Sequence, residues 1–321
     1  MPANRRFFCI IGAKYPDLAR EEITALLKTY GSSKVDCSND TLLVVAEGEC
    51  EIDKVAKRVV YTKCIAREIT TDTDYSILTG KTFSCVGGGS DRDFVHRVAE
   101  NIKRRTGAEV SLKSPDYQIV VISRYNAIKY PFYTHLIGIR IPQPKIDWKR
   151  RKASNRRFFH PSALEPRLCR AMVNIAQVKE GHTILDPFCG TGSILIEAQE
   201  FQIKTAGFDV IKTMCKGAKQ NLIENIVQCD SVQMPLKPLG VDAIVTDIPY
   251  GRSTSMIKGR SRKQLLTDFV ANASVAVKRM VIMCEKNDEE MLISTKTNIK
   301  SVCRLYEHKS LTRSIVTITI W

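Results

Sequence analysis

No stretch of this 321-residue chain stays apolar for the roughly 18 residues that a membrane-crossing helix needs. That absence excludes the helical membrane classes. Met1 to Arg6 and the short apolar stretch Phe7 to Ile11 run directly into Lys14, Asp17, Arg20 and Glu21, too soon for a secretory leader. The expectation is a cytoplasmic protein with no membrane partner. The eleven cysteines lack metal-binding spacing. None forms CxxC and none has histidines at zinc-finger distance, so no metal is expected. They read as free thiols of a reducing compartment, with disulfides in a thermophile's cytosol as the alternative. Low-complexity tracts and fixed-period repeats are also missing. The length calls for two or three domains, each able to bury a core.

Acidic residues are what one short segment lacks most. The formal net charge is +15, and residues 142–160 carry seven basic side chains against Asp147 alone. Lys145, Lys149, Arg150, Arg151, Lys152, Arg156 and Arg157 repel one another unless a polyanion lies against them, and nucleic acid is the natural one. A solvated linker is the competing reading. Pro142 and Pro144 suit an extended connector just before the run.

Before that boundary, strands and helices are mixed. Strands are expected at Phe7–Ile11, Thr41–Ala46, Thr82–Val86, Tyr117–Ser123 and Thr134–Ile141. Helices are expected at Pro16–Tyr30, Ile52–Tyr61 and Asp91–Thr106. After it, strand and helix alternate. Helices are expected at Pro161–Val178, Ser193–Phe201, Ile211–Asn225, Lys263–Ala276 and Asn287–Ser294. Strands are expected at Thr183–Leu185, Thr205–Phe208, up to Asp230, Ala243–Thr246 and Met280–Cys284. Ser301–His308 and Ser314–Trp321 close the chain as an antiparallel pair at a sheet edge. Repeated βα units predict a parallel, doubly wound α/β sheet.

The glycine loop Asp186-Pro187-Phe188-Cys189-Gly190-Thr191-Gly192 follows a strand and opens a helix. It is neither GxGxxG nor GxxxxGK[ST], and no lysine is present for a phosphate. An acidic strand end before such a turn suits a ligand carrying an amino group and a ribose. Asp209 ends the next strand, where an acid accepts from ribose hydroxyls. Asp230 ends the third and can meet an adenine amine. Each acid alone also serves as a helix N-cap.

Asp247-Ile248-Pro249-Tyr250 closes the fourth strand, at the edge where doubly wound folds bind ligands. The exocyclic amine of a purine is a poor nucleophile, because its lone pair is delocalised into the ring. The Asp247 carboxylate and the Ile248 carbonyl can accept from that amine and hold it near tetrahedral. They also stabilise the charge developing on nitrogen. Tyr250 offers a face for a base that has left its helix. The pattern points to methyl transfer from S-adenosylmethionine.

Together, His160-Pro161-Ser162 with Leu164, the glycine loop, and Asp247 to Thr254 resemble the archaeal tRNA (guanine-10) N2-methyltransferases. Residues 82–123, notably Gly107 to Asp116, resemble a THUMP domain. The resemblance implies a ferredoxin-like domain at 1–50, a THUMP RNA-binding domain at 51–141, a basic linker at 142–158 and a Rossmann-like methyltransferase domain with a seven-stranded sheet at 159–321. It implies N2-methylguanosine, then N2,N2-dimethylguanosine, at tRNA position 10. Pro161, Asp186, Phe188, Gly190, Gly192, Asp209 and Asp230 fall in the cofactor-binding role. Asp247, Ile248, Pro249 and Tyr250 fall in the catalytic role, and Lys149, Arg150, Arg151 and Arg252 are candidate RNA contacts. The family motif has two prolines, and Ile248 stands in place of the first with its carbonyl intact. Some members work with a small zinc-binding activator protein, a further candidate partner. Gly87-Gly88-Gly89 can present amides to a phosphate or be a plain loop.

Three readings compete: a sister enzyme acting at guanine 6 of tRNA, an adenine-N6 or glutamine methyltransferase, and a non-catalytic RNA-binding protein. The THUMP-like region weighs against the second, and the intact loop with Asp247 against the third.

Overall fold

The computed structural model describes residues 5–37, 42–70, 75–87, 92–123, 135–249, 261–293, 298–308 and 311–320. Tyr250, Arg252, Gly88, Gly89 and the expected element ends at Thr41, Asp91, Thr134, Ser294 and Trp321 lie outside them. The elements of the first part are β1 (Arg6–Ile11), α1 (Pro16–Thr29), β2 (Lys34–Cys37), β3 (Leu43–Glu47), α2 (Ile52–Arg58), β4 (Thr62–Glu68), β5 (Thr82–Gly87), α3 (Arg92–Thr106), β6 (Glu109–Val110), β7 (Tyr117–Ser123) and β8 (His135–Arg140). Those of the second are α4 (Pro166–Ile175), β9 (Thr183–Asp186), α5 (Ser193–Gln199), β10 (Lys204–Asp209), α6 (Lys212–Gln220), β11 (Ile226–Gln228), β12 (Ala243–Asp247), α7 (Arg262–Ala276), β13 (Arg279–Glu285), α8 (Lys286–Ile293), β14 (Asn298–His308) and β15 (Leu311–Thr319). Among the described residues no helix is long and apolar enough to cross a membrane. All eleven cysteines are free thiols.

The chain divides into two compact units. The first comprises residues 1–16, 30–57 and 62–144. Its eight strands form one mixed sheet in the order β2-β3-β1-β4-β8-β7-β5-β6. Period-two alternation along β7 sends Ile119 and Val121 into one apolar cluster with Phe83, Val98 and Ile102, and Val120 and Ile122 into another with Phe8 and Val45.

The second unit comprises residues 17–29, 58–61 and 145–321. It takes in most of α1 through a buried polar network. The Glu22 carboxylate accepts from the backbone N–H of Val60 (3.0 Å) and Tyr61 (2.9 Å) and from Asn174 Nδ2 (2.7 Å). Arg58 Nε donates to Asn174 Oδ1 (3.0 Å) and Arg58 Nη1 to the Val178 carbonyl (2.6 Å). This network corrects the expected helix Ile52–Tyr61. The Val60 and Tyr61 amides are held by Glu22, so α2 ends at Arg58 and β4 follows.

The seven-stranded sheet of this unit has the order β11-β10-β9-β12-β13-β15-β14. Strands β9 to β13 are parallel and β14 and β15 form the antiparallel edge pair. From β9 the chain winds outward through β10 to β11, then returns to the other side of β9 as β12. The strand order reverses between β9 and β12, and such a reversal opens a crevice at the carboxyl ends of the strands. Leu185, Ile244, Phe269, Met280, Ile282 and Val316 pack one core beneath it.

Several helix ends differ from expectation for local reasons. α4 begins at Pro166, not Pro161, because Glu165 caps it by accepting from the Leu168 N–H at 3.2 Å. α5 and α6 stop short of Phe201 and Asn225, where Gln202 (φ 54°) and Leu222 (φ 68°) adopt left-handed backbone. Such residues end a helix.

Candidate active site

The glycine loop is built from the end of β9 outward. Gly190 (φ 51°) and Gly192 (φ 83°) both take left-handed backbone, which a side chain at Cα disfavours. Gly192 is the residue from which α5 starts. The turn is closed by the Gly192 N–H donating to the Cys189 carbonyl at 2.8 Å, and the Cys189 N–H reaches the Phe208 carbonyl at 2.9 Å. A β-carbon on Gly190 would meet nothing within 4 Å, so this part of the loop faces open space. Phe188, half-buried, packs edge-on against Phe269 with ring centres 5.2 Å apart.

Two strand-end carboxylates bind the loop, and Asp230, expected as a third strand end, lies two residues past β11. Asp186 is buried, and its Oδ1 accepts from Thr246 Oγ1 (2.7 Å) and from the Phe188 N–H (3.2 Å). Burial pushes its pKa up to about 7, and the charges of Asp247 and Asp209 push the same way. Asp209 accepts from the Gly190 N–H (2.9 Å) with one oxygen and from the Ile211 N–H (2.8 Å) with the other. Burial raises its pKa as well. Asp230 accepts from the Val232 N–H at 3.2 Å and starts the turn beyond β11. Asp186 therefore lies close enough to both Asp209 and Asp247 for their charges to repel its own.

Asp247 is the last residue of β12, in register with Met283 of β13. Ile248 is buried, and its N–H donates to the Met283 carbonyl at 2.9 Å. That bond carries the sheet ladder one residue past Asp247. The Pro249 carbonyl accepts from Arg262 Nη1 at 2.9 Å. Arg262 is the first residue of α7, fixed there by a Ser261–Gln264 capping box. Its guanidinium also forks onto Asp288, with Nε to Oδ1 at 2.6 Å and Nη2 to Oδ2 at 2.5 Å. Tyr250 lies outside the described residues, and so does Arg252.

Pro161 sits in an exposed turn before α4, beside a 2.7 Å hydrogen bond between His160 Nδ1 and Ser162 Oγ. The basic run upstream divides in two. Asp147 accepts from the backbone N–H of Lys149 (3.0 Å) and Arg150 (3.2 Å), which shapes a turn and leaves both side chains exposed. Arg151 is engaged instead, with Nε to Glu197 Oε1 at 2.9 Å and Nη1 to Glu200 at 3.0 Å. Glu197 is fully buried on α5 and is also bound by Arg170 at 2.8 Å, the pairing that a buried carboxylate needs. Arg156 Nη1 donates to Ser193 Oγ at 2.7 Å. Among the described residues no three His, Cys, Asp or Glu side chains group as a metal site.

The sequence reading missed Thr246, Asn221, Arg262 and Asp288. Thr246 had a signal, as the polar residue closing the apolar run Ala243 to Val245. Asn221 is buried and links Phe158 (N–H at 3.0 Å, carbonyl at 2.9 Å) to the Thr191 carbonyl (3.1 Å) of the glycine loop. Nothing local in the sequence marks it. The helix was expected to start at Lys263, one residue after Arg262, and the partner of Arg262 lies 26 residues on.

Residues 153–315, half of the chain, match the RMKL-like methyltransferase domain. The chain is also similar to three archaeal proteins named tRNA (guanine(10)-N2)-dimethyltransferase. That of Methanothermobacter thermautotrophicus is 28% identical over 336 positions, covering 95% of this chain and 97% of the relative. That of Methanocaldococcus jannaschii is 37% identical over 52% of this chain and 49% of the relative. That of Pyrococcus abyssi is 32% identical over 68% of this chain and 67% of the relative. With the strand order and the carboxylate-ringed glycine loop already in place, the chain belongs to the RMKL-like methyltransferase domain family, whose methyl donor is S-adenosylmethionine.

Proposed function

We propose that this protein transfers methyl groups to the exocyclic N2 of guanine 10 in tRNA, giving N2-methylguanosine and then N2,N2-dimethylguanosine. The observation that carries the reading is the alignment with the Methanothermobacter enzyme, which extends over 95% of this chain and so includes both units. A match to the methyltransferase unit alone would leave the substrate open.

The residues present fit S-adenosylmethionine. Open space over Gly190 leaves room for a ligand, and the crowded carboxylates of Asp186, Asp209 and Asp247 favour a cation. When bound, the cofactor supplies a methyl group on a positively charged sulfur. Each Asp209 oxygen already accepts one backbone amide and keeps a lone pair for a ribose hydroxyl. Asp230 is assigned to the adenine amine, and Phe188 and Pro161 to flanking contacts. Asp247 and the Ile248 carbonyl accept from the guanine amine. They aim its lone pair and stabilise the charge that develops on nitrogen. The Ile248 N–H held by Met283 fixes the peptide between Asp247 and Ile248, directly before the residue that carries that carbonyl. Arg262, through the Pro249 carbonyl, holds the next residue. Tyr250 is assigned to stacking on the extruded base.

In the same reading, residues 1–50 are a ferredoxin-like domain, 51–141 a THUMP domain, 142–158 the basic connector and 159–321 the catalytic domain. Lys149, Arg150 and Arg252 are assigned to RNA, while Arg151, expected beside them, is taken up by Glu197 and Glu200. A small zinc-binding activator is a candidate partner, and the cytoplasm the expected compartment. The test is mass spectrometry with nucleotide mapping of an unmodified tRNA transcript after incubation with enzyme and S-adenosylmethionine. Methylated guanine at position 10 is expected. Product at position 6, or inert tRNA beside methylated DNA or protein, overturns the assignment.

A further inference from the structure

The basic run between residues 145 and 157 is pinned to the catalytic unit at several points. Arg151 binds Glu197 and Glu200, and Arg156 binds Ser193, all on α5 or just beyond it. Trp148 lies against the guanidinium groups of Arg167 and Arg170, 5.4 and 4.9 Å from the ring centre. At its far end the strap crosses α6. The Phe158 backbone is held by Asn221, and its ring fills the space where a β-carbon on Gly217 would stand. A side chain at Gly217 would displace that ring.

The helix on which Phe158 rests has its own uncompensated charge. Lys212, Lys216 and Lys219 are exposed and spaced i, i+4 and i+7, so they share one face and span about 10 Å along the axis. The helix contains no acidic residue. Like charges at these spacings destabilise an isolated helix, and Lys212 adds a positive charge at the wrong end of the helix dipole. The strap exposes Lys149, Arg150, Lys152 and Arg157, the last of them next to the Phe158 that packs on this helix. Two adjoining elements thus each carry repulsion that their own sequence does not relieve.

We propose that the lysine face of α6 and the exposed residues of the strap form one surface that binds the phosphate backbone of the RNA substrate. Arg151 and Arg156 anchor the strap, and the exposed lysines and arginines meet RNA. The occupant is a polyanion because the surface offers clustered positive charges on long flexible stems, with exposed Phe159 and Ile211 at its margins. Lysines at helical spacing suit phosphates and carry no base sequence. This rests on the proposal that RNA is the substrate.

The experiment is a salt titration of tRNA binding by the full chain, wild type against Lys212→Gln/Lys216→Gln/Lys219→Gln. S-adenosylmethionine affinity is measured alongside as a control on folding. The expected result is a log–log salt slope smaller by about 2 to 3 and tRNA binding weaker on the order of tenfold at low salt. Cofactor affinity should hold. An unchanged slope and affinity with normal cofactor binding overturns the surface. Wild type that binds no tRNA at all overturns the RNA reading itself. Gly217→Ala is the second variant: by dislodging Phe158 it should weaken tRNA binding while all the charges remain. Unaltered binding there means the strap and α6 act separately, which also overturns the single surface.

Discussion

The two halves of the candidate active site are held in different ways. On the glycine-loop side every turn is closed by the chain's own groups: Thr246 on Asp186, Asp209 on Gly190 and Ile211, and Asn221 on Thr191. On the acceptor side the ladder ends at Ile248, and the Pro249 carbonyl rests on one guanidinium from the start of α7. The first half is a network in which a lost bond leaves others. Among the described residues, the second rests on the Ile248 ladder bond and on Arg262. The loop side is therefore expected to tolerate substitution with graded losses in cofactor affinity, and the acceptor side to lose turnover abruptly.

The largest expected effect is that of Asp247→Ala. Removing a preorganised acceptor should lower kcat on the order of 10²-fold or more, while S-adenosylmethionine binding, read by calorimetry, weakens far less, by the loss of one neighbouring carboxylate charge. Near-normal turnover breaks the comparison at its centre.

Arg262→Lys comes next. Lysine keeps a charge for Asp288 but not the fork that reaches Asp288 and Pro249 together. A fall in kcat of about tenfold is expected, with cofactor affinity unaltered. Because Asp288 is buried, Arg262→Ala would strand a carboxylate at a cost of several kcal/mol. The lysine variant, checked by thermal melting, separates positioning from unfolding. If lysine reproduces wild-type kcat, the guanidinium has no positioning role.

The loop side should respond to pH. Asp186 has its pKa raised to about 7, so a cationic ligand must displace its proton below that pH. Cofactor affinity should weaken as pH falls below about 7, by up to roughly tenfold per unit. Calorimetry in buffers of different ionisation enthalpy should show proton release. The cofactor-free protein should trend the other way. Asp186 and Glu22, both raised to about 7, bind more protons folded than unfolded. Their contribution to stability is therefore present at low pH and fades as pH rises from about 4 to about 7. Asp186→Asn should flatten both profiles. A wild-type cofactor affinity that stays constant from roughly one pH unit below to one above that pKa, the span over which a single group titrates, removes the carboxylate from the site.

Legibility in the sequence followed the same divide between local and distant. The parallel sheet, the closing edge pair and the strand-end position of Asp186, Asp209 and Asp247 were readable, because alternation, glycine turns and strand-terminal acids are local signals. Strands β2, β4 and β6 were not: Lys34–Cys37 and Glu109–Val110 are short and weakly apolar, and in Thr62–Glu68 the apolar run is only Cys64 to Ala66 between charged residues. The end of α2 was missed because Glu22, nearly forty residues upstream, decides it. The charge run was legible as a run. Which of its arginines face inward was not, because the answer lies in Glu197 on a helix that the sequence does not connect to it.

The smallest effect expected, and the one that best sharpens the contrast, is that of Asn221→Ala. Its amide joins three backbone groups, the Phe158 N–H and carbonyl and the Thr191 carbonyl. Truncation leaves them buried or poorly solvated, a cost of about 1–3 kcal/mol. The glycine loop would still be held by Asp209 and by the Gly192 to Cys189 turn, so it should loosen without collapsing. The expected outcome is a cofactor Kd weaker by a few fold, about 1 kcal/mol or less, with kcat at saturating cofactor close to wild type. A loss confined to kcat would mean that Thr191 transmits to the acceptor side, and the two halves would then be one mechanical unit.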